Sequence, residues 1–164
     1  MIPMLRRFFV PFLSLGLILV SCASSPDFKE KGATIAVWDL DDLSPGKTGR
    51  VNLGEILSLR IIETLNKREG YKVIERQRLL LALEELRLGT TSIVDETTRL
   101  KLGRIVAARF MVFGGYQIIG DKMRLDLRLV EVETGRIKKA VQKIASSTNL
   151  QEWIDMAGRA AEEL

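Results

Sequence analysis

The most regular stretch of the chain runs from Lys122 to Leu129, where Met123, Leu125, Leu127 and Leu129 alternate with Lys122, Arg124, Asp126 and Arg128. A period of two sends the first set to one face of a β-strand and the second set to the other, so one face is core and the other is wet. Past Leu129 the apolar positions move to Val130 and Val132, which predicts a bulge or a second covered face. The flanking runs RFMVFGGYQII (109–119) and RIKKAVQKI (136–144) are also strand-like. Gly120-Asp121 and Glu133-Thr134-Gly135 separate the three runs and are tight-turn signals, so this half reads as an antiparallel meander.

Helical spacing governs much of the rest. ATIAVWDL (33–40) has the length and apolar content of a buried strand, and DDLSPGKTGR (41–50) reads as a loop of turn formers. Asn52 and Glu55 then stand three apart, the spacing of a capping box, and open a helix. Its buried face is predicted to hold Leu53, Ile56, Leu57, Ile61 and Leu65, with Gly70 at the exit. YKVIE (71–75) reads as a second strand, and a strand, helix and strand in this order predict a parallel pair. RQRLLLALEELRL (76–88) is a leucine-rich helix stopped by Gly89, and Asp95 caps a shorter helix through Ile105. Asn149 caps a last helix, with Glu152 in its third position, running to Leu164. The expected fold class is α/β in the mixed α+β sense. It is a single three-layer-like domain whose mixed sheet starts with a parallel β-α-β unit, continues as the meander, and carries helices packed on it.

The first residues obey a different pattern. Arg6 and Arg7 precede Phe8 to Val20, an apolar run broken by Pro11, Ser14 and Gly16, and small residues follow. That is the layout of a secretory signal peptide, and the run is short of the roughly 20 apolar residues that a membrane-spanning helix needs. Leu19-Val20-Ser21-Cys22 holds the single cysteine and resembles the bacterial lipobox. That resemblance implies cleavage before Cys22, a diacylglycerol on its sulfur and an N-acyl chain on its new amino group. Residues 1–21 are then a lipoprotein signal peptide, 22–32 a lipid-anchored tether, and 33–164 the folded domain. Ala23 in place of an Asp after the cysteine goes, in the lipoproteins this resembles, with the periplasmic face of the outer membrane. The plainer reading of Cys22 is an inert buried thiol, but the polar ASSPDFKEKG that follows offers no core for it to join.

Loss of the signal removes two of the 25 basic residues, leaving them two above the 21 acidic ones. So even a balance, in an exported chain, does not point to nucleic acid. A chain of this length makes one domain that buries about 68–70% of its unfolded surface. With no second cysteine there is no disulfide.

Few residues suggest chemistry. SPGKTG (44–49) lies between a strand and a helix, but a phosphate-binding P-loop needs a glycine where this chain has Asp41, next to Asp42. Two carboxylates there repel a triphosphate, and a solvated turn is the plainer account. Asp39, Asp41 and Asp42 are oxygen donors of the kind a hard cation prefers, without the spacing of a calcium loop. The absence of histidine removes the usual zinc and nucleophile-base arrangements. Glu84 and Glu85 fit the solvated side of their helix. The basic stripe of Lys122, Arg124 and Arg128 fits a partner surface or an ordinary wet sheet face equally. No catalytic, cofactor or metal residue is assigned, and the one site expected is lipidation at Cys22.

The stretch YKVIERQRLLLALEELRLGTTSIVDETTRLKLGRIVAARFMVFGG (71–115) resembles the CsgG family of curli-assembly lipoproteins. The strand IAVWDL, the VIERQRL and KLGRIVAARFMVFGG junctions, the VEVETG turn and the lipobox carry the likeness over nearly all of residues 17–145. The family implies a lipid-tethered periplasmic α/β domain, and its founding members form rings whose inserted hairpins build an outer-membrane barrel. This chain departs from that at Gly120-Asp121, where a two-residue turn replaces one hairpin, and at KIASSTNLQEW, which leads into a helix where the other should come. A short member without the membrane hairpins is expected. It is non-enzymatic and works as an accessory factor for curli-type secretion or envelope assembly. Its expected partners are the membrane through the lipid anchor, periplasmic or outer-membrane proteins, and a possible homo-oligomer. The resemblance leaves two alternatives within the envelope, a secretion-channel subunit and an activator of a peptidoglycan synthase. A nucleotide- or metal-binding enzyme using residues 39–48 is the third.

Overall fold

The computed structural model describes residues 32–45, 52–85 and 95–164. The signal peptide, Cys22, most of the tether, Gly46 to Gly49 of the P-loop-like run, and residues 86–89, the expected end of the leucine-rich helix and its Gly89 stop, lie outside the described residues. The elements are β1 (Ala33–Val37), β2 (Asp41–Asp42), α1 (Leu53–Asn66), β3 (Tyr71–Val73), α2 (Arg76–Glu85), α3 (Glu96–Ile105), β4 (Phe110–Ile119), β5 (Lys122–Glu131), β6 (Ile137–Ala145) and α4 (Leu150–Glu162). The sheet order is β3-β1-β4-β5-β6, with β2 paired to β4. β1 runs parallel to β3 and to β4, while β4-β5 and β5-β6 are antiparallel. The parallel β-α-β start and the meander therefore stand as predicted, in one mixed sheet.

Two cores sandwich that sheet. On one face, Ile35 and Val37 of β1, Phe110, Val112 and Tyr116 of β4 and Met123 to Leu129 of β5 (odd positions) pack under α1 and α4. On the other face, Ala36, Met111, Phe113, Val130 and Val132 pack under Leu79, Ala82 and Leu83 of α2 and Leu102 of α3. This three-layer arrangement explains the change of pattern after Leu129. Val130 and Val132 stay in phase with the wet face of β5, but that face becomes covered where α3 lies over it. A bulge is present as well, on the neighbouring strand: Leu129 pairs with Lys139 and Val130 with Ile137, which leaves Lys138 as the extra residue of β6.

Three local expectations need correction. Asn52 precedes α1 but makes no side-chain cap and sits in the left-handed region at φ 68°. Glu55 turns instead to Arg76, 3.2 Å away, so a long-range ion pair displaces the local capping box. Within α1, Leu53, Leu57, Ile61 and Leu65 are buried together with Gly54, Ser58 and Thr64, while Ile56 lies off that stripe and is exposed. The acidic pair at 41–42, read as loop, is the short strand β2: Asp41 pairs with Gly115 and Asp42 with Tyr116.

The two remaining caps form as read. Asp95 accepts from the Thr98 N–H at 2.7 Å, and Asn149 accepts from the Gln151 N–H at 2.8 Å. The bond from the Thr98 backbone holds the Asp95 carboxyl below its ordinary pKa, and the Thr134 hydroxyl does the same for Glu131 at the end of β5. A carboxylate lowered in the folded state contributes stability that is present above its unfolded pKa and lost as pH falls through the folded value. With no histidine, unfolding midpoints should be flat between about pH 5 and 8 and then fall in the acid range below roughly pH 4. Asp95→Asn keeps a capping side chain and should shallow the acid limb. An acid limb unchanged in that variant would remove Asp95 from the account.

Candidate functional site

The carboxyl end of β1 feeds a cluster of charges built by four elements. From Trp38 the chain continues along β4: the Trp38 N–H donates to Val112 O at 3.0 Å, and the Leu43 N–H to Tyr116 O at 2.8 Å. Leu40 dips into the core between them, its N–H donating to Ser58 Oγ of α1 at 3.0 Å. This path presents Asp39 and Asp41 toward the helices. Arg76, the first residue of α2, grips Asp39 with two bonds, Nε to Oδ1 at 3.0 Å and Nη2 to Oδ2 at 2.7 Å. Arg99 of α3 also makes two bonds to Asp41, Nη1 to Oδ2 at 2.8 Å and Nη2 to Oδ1 at 2.9 Å, and its guanidinium lies 5.4 Å from the centre of the Trp38 ring. The paired Asp39 carboxylate, foremost, raises the pKa of Arg76.

That arrangement changes the reading of the three aspartates. Asp39 and Asp41 each commit both oxygens to a planar guanidinium, the strongest pairing these groups make. Asp42 accepts from the Ser44 N–H at 2.9 Å. Among the described residues no group of three or more His, Cys, Asp or Glu side chains is placed to hold a metal ion. The cluster ties the 38–44 segment to α1, α2 and α3, which is a structural task. The residues that sequence reasoning missed are Arg76 and Arg99. They stand 37 and 58 positions from their partners, and no local pattern links such pairs.

The exposed side of the meander is the other candidate. Lys122, Arg124 and Arg128 lie on the half of the sheet that α2 and α3 leave uncovered. Arg124 forms a two-bond pair with Asp126, at 2.7 and 2.9 Å, and Arg128 stands 3.7 Å from Glu96 of α3. The stripe is therefore a largely neutralised surface with aliphatic groups around it, Ile119, Ile137 and Ile144 among them. Glu84 and Glu85 are exposed at the end of α2.

The geometry of the meander also bears on membranes. The β4-β5 turn is Gly120-Asp121, with Gly120 at φ 61°, and β6 leads through residues 146–149 into α4. The apolar side of β5 is covered by α1 and α4. A strand crossing lipid needs that side for the hydrocarbon, so this hairpin is committed to the core. No helix among the described residues is long and apolar enough to cross a membrane.

Solved structures show the same architecture in other proteins. The C-terminal domain of LpoB from Salmonella enterica aligns with a TM-score of 0.61 at 19% identity, covering 74% of this chain and 87% of that one. Lipoprotein GNA1162 from Neisseria meningitidis gives 0.55 at 18%, covering 76% and 92%. A PelC dodecamer from Paraburkholderia phytofirmans gives 0.53 at 12%, covering 80% and 86%. At these identities the likeness is one of fold. No curated protein sequence matches the chain significantly. The sequence profile of the family described as curli production assembly/transport component CsgG matches residues 18–118. That span is more than half of the 164 residues, and the chain belongs to the CsgG family.

Proposed function

We propose that this protein is a lipid-anchored periplasmic accessory factor of the outer membrane, serving curli-type secretion or envelope assembly by protein contacts and without catalysis. Residues 1–21 act as signal peptide, Cys22 carries the diacylglycerol and N-acyl chains, residues 22–32 act as tether, and 33–164 form the working domain. The observation that carries this reading is the use of the β4-β5 hairpin: Met123, Leu125, Leu127 and Leu129 hold α1 and α4 to the sheet. A CsgG-family domain built this way keeps its hairpin in water, beside the membrane and not through it. Several acyl chains, each contributing ~0.8 kcal/mol per buried methylene, make the anchor permanent and raise the local concentration of the domain for its partners.

Fractionation of cells tests the anchor. The native chain should pellet with outer membranes, and Cys22→Ser should release it to the soluble fraction or hold it as uncleaved precursor. Unchanged outer-membrane association of Cys22→Ser would sink the lipid reading. The family description favours one second reading, a subunit of a secretion channel. Detergent-stable rings that conduct ions in planar bilayers would establish that reading in place of the first.

A further inference from the structure

The sheet has a long edge that nothing among the described residues pairs. β6 is nine residues, hydrogen-bonded to β5 on one side and to no strand on the other. Such an edge presents a row of backbone donors and acceptors to any extended chain that fits it. What fits is set by the side chains, which divide by face. Lys139 and Lys143 pair with Leu129 and Leu125, so they share the α4 side with Val141 and Ala145. Ile137, Ala140, Gln142 and Ile144 pair with Val130, Arg128, Asp126 and Arg124, so they share the uncovered side. Ile137 is 53% exposed and Ile144 59% exposed. One face of the edge strand therefore carries Lys139 and Lys143 beside the buried Val141 and Ala145, and the other carries the exposed Ile137, Ala140 and Ile144 with Gln142 among them.

Charge along the strand selects the occupant. From Arg136 to Gln151 the chain carries Arg136, Lys138, Lys139 and Lys143 and no acidic residue. Lys138 meets Glu131 at 4.0 Å, and Lys143 meets Glu163 of the segment after α4. Lys139 makes no ion pair among the described residues. A second copy of β6 would bring lysines against lysines and no acid of its own strand, with Lys139 lacking an ion pair among the described residues of either copy, and like charges across a strand pair are destabilising. The bulge at Lys138 further bends the edge away from a flat self-match.

We propose that β6 is a docking edge for an extended segment of a partner protein in which acidic and aliphatic residues alternate. Paired on β6, its acidic side chains lie beside Lys139 and Lys143, and its aliphatic side chains lie beside Ile137, Ala140 and Ile144. Backbone bonds supply much of the affinity and the two faces supply the register. The inference deepens the reading of a contact-making accessory domain, but its test does not involve the anchor.

The probe is a capped synthetic peptide of alternating glutamate and valine, as long as β6, added to the full chain in mild detergent. Fluorescence anisotropy of the labelled peptide should show saturable binding that weakens with added salt. Hydrogen exchange should slow in residues 137–145 and stay unchanged at β3, the opposite edge. A peptide of the same composition in block order should not bind. Lys139→Glu with Lys143→Glu should weaken binding at least about tenfold, as loss of close charge pairs does at protein interfaces. Lys139→Gln with Lys143→Gln keeps the test valid if the acidic variant does not fold, and it should weaken binding in the same direction. The proposal is overturned by no binding, by equal affinity for the block peptide or in both variants, by protection at β3 instead, or by peptide-free dimers that bury β6. Loss of peptide binding with intact membrane anchoring would refute the docking edge alone, and the reverse result would refute the anchor alone.

Discussion

Trp153→Ala should bring the domain to the edge of unfolding. Trp153 sits in the first turn of α4, 1% exposed, and its indole N–H donates to Ser147 O at 2.7 Å. Asn149 starts the helix just before it, and Met156, Ala157, Ala160 and Ala161 continue the buried face onto α1 and the sheet. Removing so large a buried ring costs about 3–5 kcal/mol, part transfer and part cavity. A domain of this kind is stable by about 5–15 kcal/mol in total, so the loss takes a large share of its margin. Urea unfolding followed by circular dichroism should show a much lower midpoint. Trp153→Phe separates the two contributions: it keeps most of the burial and leaves the Ser147 carbonyl without its donor, which should cost about 1–3 kcal/mol. An unchanged midpoint in Trp153→Ala would mean that α4 is not part of the cooperative fold.

Local patterns carried most of this architecture, and the exceptions share a cause. The meander was legible because its strands obey a period of two, and because Gly120 and Gly135 supply the positive φ their turns require. The caps at Asp95 and Asn149 were legible because a side chain two or three residues from its N–H needs no tertiary context. Asn52 and Glu55 show the same spacing, yet Arg76 takes Glu55 from across the fold, and the box never closes. β2 could not be read because two acidic residues carry no strand signal of their own: their pairing depends on β4, more than seventy positions later. The shift at Val130 was seen, but assigning it needed α3 in place on the far face of the sheet. The candidate site follows the same rule. The aspartates of the 39–42 segment stood out by composition, whereas the arginines that occupy them were invisible until the helices were set on the sheet. Cys22 is read from sequence alone and lies outside the described residues.

Gly54→Ala provides the sharpest test of how that charged segment is held, because intrinsic propensity and packing predict opposite signs. In an exposed helix interior, alanine stabilises relative to glycine by about 0.8–1 kcal/mol. Gly54 is instead buried in the first turn of α1, and a methyl group there would meet the Leu40 carbonyl oxygen well inside contact distance. The obstacle is backbone, not the far end of a flexible side chain, so it cannot swing aside. It is also fixed in place from α1 itself: Ser58 Oγ accepts from the Leu40 N–H at 3.0 Å and stands 2.8 Å from Gly54 O, to which it donates. Adding the methyl must lift the helix from the 38–40 segment or distort both, with a cost of about 1–3 kcal/mol, the range for overpacked cores. The expected result is a lower urea midpoint with faster hydrogen exchange at Leu40 and in the first turn of α1. As a companion, Ser58→Ala leaves the buried Leu40 N–H without its acceptor and should destabilise by a similar amount, about 1–3 kcal/mol. Stabilisation in Gly54→Ala would mean that helix propensity outweighs the contact, and that α1 does not rest on the Leu40 backbone as described.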